Sequence, residues 1–223
     1  MIKQITLVNK KPGLSEKEFN EHWKEIHGPI FARTAPGLRR YVQNHFVRVP
    51  GIKYQGDGIV ETWFDDMKSQ QKLKAWIDSG DAKELMDDAA KFLDVGKETV
   101  WFVEEHEIIR GGSFKTKEIG LVYKKPGMTR KQFNDYWENI HGPLSARRIP
   151  ELRKYIQNHL ISMPGVKYEG DGIVEIWFDD LEALKRYDVF SQTSEAKDLM
   201  DDATKFVDMS RKVIWITEEH VIK

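Results

Sequence analysis

The sequence lacks cysteine altogether among its 223 residues. Disulfide bonds, a thiolate nucleophile and a zinc–thiolate site are therefore excluded, because each of them needs a cysteine sulfur. The chain also lacks a charge excess, since its formal net charge is -1. A nearly neutral chain has no broad electrostatic attraction to nucleic acid, and we expect no nucleic-acid partner.

Long apolar runs are missing as well, and no stretch is long enough to cross a bilayer. The first five residues indicate a β-strand rather than a signal peptide. Hydrophobic residues make up 40% of the chain and charged residues 32%, a balance typical of globular proteins. We therefore expect a cytoplasmic protein with no membrane partner.

The chain contains an internal repeat. Pro12 corresponds to Pro126, and the same shift holds without a gap to the end, with about half of the paired positions identical. Residues 1–110 and 115–223 are predicted to be two copies of one domain, joined by a linker at residues 111–114. The copies differ most at residues 68–80 and 182–194, which we interpret either as lids over a pocket or as tolerated surface segments.

Each copy is predicted to contain strand, helix, strand, strand, helix and strand in that order. This βαββαβ order is the ferredoxin-like pattern, an antiparallel sheet with helices on one face, and it defines an α+β fold class. The uncovered sheet face needs a partner. The two repeats are therefore expected to pack sheet to sheet as a pseudo-dimeric α+β barrel within one chain, with further oligomerisation left open.

The motif Trp-x-x-x-His-Gly-Pro closes the first predicted helix of each copy. His27 follows Trp23 by four residues, so both side chains lean to the apolar side of the helix. Pro29 disfavours helical geometry at Gly28, and the helix is expected to stop or kink there. The helix dipole would then favour the protonated form of His27. The imidazole is either a functional group or only a cap on a neighbouring carbonyl.

Polar residues alternate along the second predicted strand. Tyr41, Gln43 and His45 point to one face at roughly 7 Å spacing and can line a pocket that orients a small oxygenated molecule. The alternatives are a solvated strand face or side chains bonded to neighbouring strands. The same three residue types recur in the second copy as Tyr155, Gln157 and His159.

A helix histidine beside a strand tyrosine and histidine suits proton transfer, because imidazole titrates near neutrality and a phenol can donate to a developing enolate oxygen. The predicted catalytic residues are His27, Tyr41, His45, His141, Tyr155 and His159. The predicted substrate-binding residues are Trp23, Gln43, Glu61, His106, Trp137, Gln157, Glu175 and His220.

Glu61 lies mid-strand among bulky residues, where a carboxylate is costly unless it is paired or at the edge of a pocket. An ion pair with Arg39 or Lys53 is the expected role. Glu104 shares a strand face with His106, and these groups together with Glu61, His27 and His45 could surround a metal ion. No local ligand spacing supports that arrangement, so we predict no metal site.

Three motifs, each present in both copies, resemble those of the EthD family, and the resemblance extends over nearly the whole chain. They are Trp-x-x-x-His-Gly-Pro, Tyr-x-Gln-Asn-His and Glu-x-Trp-Phe. The resemblance implies membership of the dimeric α+β barrel superfamily, whose relatives include cofactor-independent monooxygenases, cyclases, isomerases and haem-degrading enzymes. By similarity to the superfamily's methylmuconolactone isomerases, His27 is implied as acid or base, Tyr41 as oxyanion donor and His45 as an orienting group. Those isomerases also carry a cysteine, which this chain lacks.

Two hypotheses follow. The first is an enzyme without organic cofactor that moves a proton on a small cyclic or aromatic oxygenated metabolite, as an isomerase, a cyclase or dehydratase, or a monooxygenase. The second is a non-catalytic protein that binds a small molecule, or haem, in the same pockets. The clustering of titratable groups favours the enzyme.

Overall fold

The computed structural model describes residues 1–163 and 165–223. Eight antiparallel strands form a closed barrel in the order β1-β3-β2-β8-β5-β7-β6-β4. The predicted fold class is confirmed: this is an α+β barrel built from two tandem ferredoxin-like repeats. Within the described residues, no helix combines the length and the apolar character that a membrane span requires.

The first repeat contains four strands and four α-helices. In chain order they are β1 (Ile2–Val8), α1 (Glu16–His22), a π-helical turn (Trp23–His27), α2 (Gly28–Thr34), β2 (Leu38–Phe46), β3 (Gly58–Phe64), α3 (Met67–Asp78), α4 (Lys83–Phe92) and β4 (Thr99–Ile109).

The second repeat has the same order with a short 3-10 turn added. Its elements are β5 (Thr116–Val122), α5 (Arg130–Tyr136), a π-helical turn (Trp137–His141), α6 (Gly142–Arg148), β6 (Lys154–Leu160), β7 (Gly172–Phe178), α7 (Leu181–Ser191), the 3-10 turn (Ser194–Ala196), α8 (Lys197–Ala203) and β8 (Val213–Val221).

The chain forms two compact units. The first consists of Met1–Phe46, Gln55–Glu104 and Glu219–Lys223. The second consists of Val47–Tyr54 and Glu105–Glu218. In each unit the side chains between sheet and helices form aromatic and aliphatic clusters, such as Phe19, Trp23 and Phe92 in the first unit.

The helical run does not stop at Gly28, although a stop was one of the two outcomes expected from Pro29, and the helix type changes there. The helical run starts at the predicted capping box of Ser15 and Glu18, but passes through the π turn and continues as α2. Pro29 lies in the first turn of α2, where a missing N–H is tolerated. The segments interpreted as lids or as tolerated surface segments, 68–80 and 182–194, consist largely of the helices α3 and α7.

Glu61 pairs with a partner that the sequence analysis did not name. Its carboxylate lies 3.3 Å from the ammonium of Lys3, and both side chains are fully buried. Arg39, one of the expected partners, pairs with Asp65 instead. In the second unit Glu175 pairs with Lys117 in the same way, at 3.4 Å. Pairing across adjacent strands offsets the cost of burying these carboxylates.

Candidate functional site

The π turn of the second unit positions His141. The backbone N–H of Gly142 donates to the carbonyl of Trp137, which is the wider bonding pattern of a π turn. The same carbonyl accepts a second hydrogen bond, 2.8 Å long, from Nε2 of Gln157. A Cβ at position 142 would lie 2.7 Å from that nitrogen, so the glycine of the His-Gly-Pro motif leaves room for the strand side chain to reach the helix.

Gln157 also fixes the hydrogen bonding of its neighbours. Because its Nε2 donates to a carbonyl, its Oε1 must be the acceptor for Nε2–H of His159, at 3.1 Å. Nε2 of Gln157 further donates to Oη of Tyr155 at 3.1 Å. His159 is therefore the neutral tautomer with its proton on Nε2, and it holds the glutamine in place.

Tyr155 is left with one unused hydrogen. Its Oη accepts from Gln157 and, at 2.8 Å, from Nε1 of Trp137, so both acceptor positions are filled. Burial raises the pKa of Tyr155 above its usual range, and the hydrogen bonds only partly oppose this effect. The phenol therefore keeps its proton at neutral pH and is oriented to donate it in a hydrogen bond.

His141 forms a dyad with Asp202 on α8. Nδ1 of His141 lies 2.9 Å from Oδ2 of Asp202. Burial opposes ionisation of this carboxyl, but hydrogen bonds from Tyr136, His141 and Lys205 outweigh it and lower the pKa of Asp202. Nδ1 of His141 thus carries the hydrogen that the carboxylate accepts, and Nε2 is the free acceptor.

The pKa of His141 is not raised, contrary to the expectation that the helix dipole would favour the protonated form. Burial lowers the pKa of His141, and the hydrogen bond and charge of Asp202 oppose the shift without cancelling it. The corresponding His27 shows the same direction for the same leading reason. Both imidazoles lie within the helical run rather than at its end, so the dipole argument does not apply to them.

A cavity of about 420 Å³ opens between the helices and the sheet of the second unit. Both His141 and Tyr155 line it. The other lining residues that matter for its chemistry are Glu118, Ser145, Ile176 and Tyr187.

His159, expected at the same cavity, is not among its lining residues. Its ring stacks on His106 with centroids 4.0 Å apart, and Nδ1 of His106 lies 2.9 Å from Glu138. The three side chains offer ligand atoms within 4.8 Å of one another, a donor set suited to a divalent cation. Each of them also has a protein partner that satisfies it.

The first unit repeats the same network. Trp23 Nε1 donates to Tyr41 Oη at 3.0 Å, and Gln43 Nε2 donates to the same oxygen at 2.8 Å. His27 Nδ1 lies 3.1 Å from Asp88. Farther along the strand, His45 stacks on Trp23 at 4.9 Å and contacts His220 at 4.4 Å between ring centroids.

The two units differ where Ser145 lines the second cavity. The equivalent residue of the first repeat is Phe31. The Phe31 ring meets Tyr41 edge-on at 5.1 Å and lies parallel to His27 at 6.4 Å between centroids. An aromatic ring therefore packs beside the histidine and tyrosine of the first unit, and the smaller serine takes its place in the second unit.

Glu61 and Glu175 lie away from these groups. Glu175 alternates on β7 with the cavity-lining Val174 and Ile176, so its side chain points to the opposite face of the sheet. It is held there by Lys117. The same alternation places Glu61 with Lys3 on the far face of the first unit's sheet.

Asp88 and Asp202 were missed by the sequence analysis. A signal was present, because Leu-Met-Asp-Asp-Ala occurs unchanged in both repeats, at residues 85–89 and 199–203. In a helix the second aspartate of this pentapeptide lies one turn after the leucine, beside the apolar stripe that packs inward. An acidic residue kept beside an apolar stripe in both copies indicates a buried partner.

Because two histidines are buried in the neutral form, we expect the stability of the fold to decrease in acid. Burial, together with the neighbouring histidine, lowers the pKa of His45 to about 3 and that of His159 to about 4, against a usual 6.5. The unfolded chain takes up these protons first, so stability is greatest above pH 6.5 and falls as the pH drops towards the folded values. We expect the free energy of unfolding, measured with urea, to fall by roughly 4 kcal/mol between pH 7 and pH 5, about 2 kcal/mol from each of the two histidines.

The double variant His45→Gln, His159→Gln should have a flatter pH dependence over that range. His22→Gln is the matched control, since His22 is more exposed. An unchanged slope in the double variant would show that other groups govern the acid sensitivity.

Comparison with known proteins identifies the fold. Among solved structures, an anthrone oxidase-like protein matches with a TM-score of 0.66 at 12% identity, over 99% of this chain and 93% of that one. A protein proposed to be a monooxygenase from Lactobacillus acidophilus NCFM matches with a TM-score of 0.56 at 14% identity, over 100% and 94%. A chlorite dismutase variant from Candidatus Nitrospira defluvii matches with a TM-score of 0.52 at 10% identity, over 97% and 90%.

These likenesses define the class: the chain has the fold of the dimeric α+β barrel proteins. No curated protein sequence matches it. The family model described as the EthD domain matches residues 11–96 and again residues 125–210. The chain belongs to the EthD family and carries two such domains in tandem.

Proposed function

We propose that the protein is an enzyme that transfers a proton within a small cyclic or aromatic oxygenated molecule held in the cavity of the second unit. The observation that carries this proposal is the pairing of two unused groups at one cavity. Nε2 of His141 can accept a proton, and Oη of Tyr155 can donate a hydrogen bond. These are the two functions that enolisation requires.

The proposed step begins at a C–H bond beside a carbonyl. Nε2 of His141 takes the proton, the electron pair of the broken bond forms a carbon–carbon double bond, and the carbonyl oxygen becomes negatively charged. Tyr155 stabilises that oxygen through its hydrogen bond, and Asp202 stabilises the imidazolium. Where a carbon–carbon double bond adjoins the deprotonated carbon, the negative charge extends to its far carbon, and return of the proton from His141 to that carbon completes an isomerisation with no net oxidation.

Oxygenation is the second fate of the same enolate. Dioxygen is then the oxidant: a CH₂ group becomes C=O, one oxygen atom enters the product and the other leaves as water. Structures of the same fold include an anthrone oxidase-like protein and a protein proposed to be a monooxygenase, which supports testing this fate. This chain's own residues act at the proton step in either case.

Gln157 and His159 are positioning residues in this proposal. Gln157 holds the phenol oxygen of Tyr155, and His159 fixes which end of the glutamine amide faces that phenol. Trp137 donates the other hydrogen bond to the same oxygen. Their counterparts in the first unit have the same geometry around Tyr41.

The test is turnover of a panel of lactones, quinols and polyketide-like phenols, followed by chromatography and oxygen uptake. For any substrate found, kcat/KM should rise with pH through an inflection below 6.5, because the pKa of His141 is lowered by burial and the base must be unprotonated. Above that inflection the profile should be flat to about pH 8. An inflection above 7 would contradict His141 as the base, and saturable binding of the panel without turnover would identify a binding protein instead.

A further inference from the structure

Glu118 lies on the cavity wall in line with Tyr155. Glu118 on β5 is paired in register with Ile176 on the neighbouring strand β7. Ile176 is paired in turn with Tyr155 on β6, the strand on the other side of β7. Residues paired directly across strands point to the same face. The backbones at Glu118 and Tyr155 are thus two strand spacings apart, roughly 10 Å, with the apolar Ile176 between them.

Within the described residues, no hydrogen-bonding partner of the Glu118 carboxyl is found, although it lines the cavity. The equivalent residue of the first repeat, Gln4, is satisfied: it donates to Thr6 at 3.1 Å and accepts from Gln70 at 3.1 Å.

The second repeat has lost both partners of that glutamine. The positions of Thr6 and Gln70 are taken by Gly120 and Leu184. The hydrogen bonds that Gln4 makes in the first unit are therefore absent at the equivalent position of the second unit, where a carboxyl lies on the cavity wall. Burial raises the pKa of Glu118 to about 7, with the charge of Lys212 opposing, so the group can serve as donor or acceptor near neutrality.

We infer that Glu118 forms a second polar subsite of this cavity, and that the cavity takes a flat ring compound with oxygen functions on two opposite edges. One oxygen accepts from Tyr155 beside His141. A hydroxyl on the far edge bonds to Glu118, and the ring lies over Ile176. The inference rests on the proposed function of the cavity and adds the class of its substrate, a fused or single ring that carries a carbonyl or phenol and a second, remote hydroxyl.

The experiment compares two probes on the full-length chain by calorimetry at pH 8. They are 2-naphthol, which has one hydroxyl, and 2,6-dihydroxynaphthalene, which has two on opposite edges. The wild-type protein should bind the diol about tenfold more tightly, as expected for one additional hydrogen bond to a charged group. Glu118→Met should reduce that preference to within about twofold and leave the affinity for 2-naphthol unchanged.

Gln4→Met is the matched control in the first unit, and it should leave both affinities unchanged. Glu118→Gln gives a second readout should the methionine variant fold poorly. In the wild type the preference for the diol should grow between pH 6 and pH 8 as the carboxyl ionises, and in the glutamine variant it should be constant.

Equal affinity of the wild type for both probes would overturn the subsite, and so would a preference that survives in Glu118→Met. Failure of the wild type to bind either naphthol would overturn the assigned ligand class. None of these results bears on proton transfer at His141, which is judged separately by turnover of the substrate panel and its pH profile.

Discussion

Replacing His141 by glutamine is expected to lower kcat by about 10²–10⁴-fold on any substrate identified from the panel. Glutamine has similar reach and polarity, and its amide can still meet the carboxylate of Asp202. It cannot take up and return a proton near neutral pH. The loss should therefore fall on turnover, with the affinity for substrate and the near-ultraviolet circular dichroism close to those of the wild type.

His27→Gln is the matched control, because it makes the same change in the same local network of the first unit. The ring of Phe31 packs edge-on against Tyr41 and parallel to His27, and we expect it to keep a ligand away from this histidine. We expect activity within about twofold of the wild type, since a residue outside the reacting site changes the barrier little. An equal loss in both variants would mean that the histidines act through stability, and no loss in either would leave them as structural partners of their aspartates.

Much of the fold could be predicted from the sequence because its signals are local and occur twice. The capping boxes at Ser15 and Thr129 mark the same helix start in both copies, and the structure contains both. Period-2 alternation placed Tyr41 and Gln43 on one face of β2, where both now bond to Trp23. One error came from giving a single residue type too much weight, when Pro29 was interpreted as a possible end of the helix.

The candidate site was predicted in part, and its missing parts depend on contacts between distant segments. Asp202 reaches His141 from a helix 61 residues along the chain, a relation that periodicity does not contain. The alternation of side chains along a strand predicts that His159 and Tyr155 share one face of the sheet. It does not predict that His159, four residues or about 13 Å farther along the strand, lies outside the cavity. Glu118 gave no local signal, because a glutamate on a strand becomes informative only once its neighbours are known to leave it unpaired.

Ser145→Phe is expected to abolish binding at the second cavity, with a loss of affinity for 2-naphthol of at least about 100-fold. Phe31 shows that the fold accommodates an aromatic ring at this position against the histidine and tyrosine. A ring in place of Ser145 would fill the space beside His141 and Tyr155 that a ligand needs. The measurement is calorimetric binding of 2-naphthol, and turnover should be lost in the same variant.

The reverse change, Phe31→Ser, should open the first unit. It removes the ring that covers His27 and Tyr41, whose hydrogen-bonding network is already the same as that of the second unit. The binding stoichiometry for 2-naphthol should rise from one per chain towards two, at some cost in stability from the cavity created. Ser145→Ala is the control, because it keeps the space and should bind as the wild type does. Two sites in the wild type, or undiminished binding by Ser145→Phe, would show that this one position does not decide which half of the chain holds the ligand.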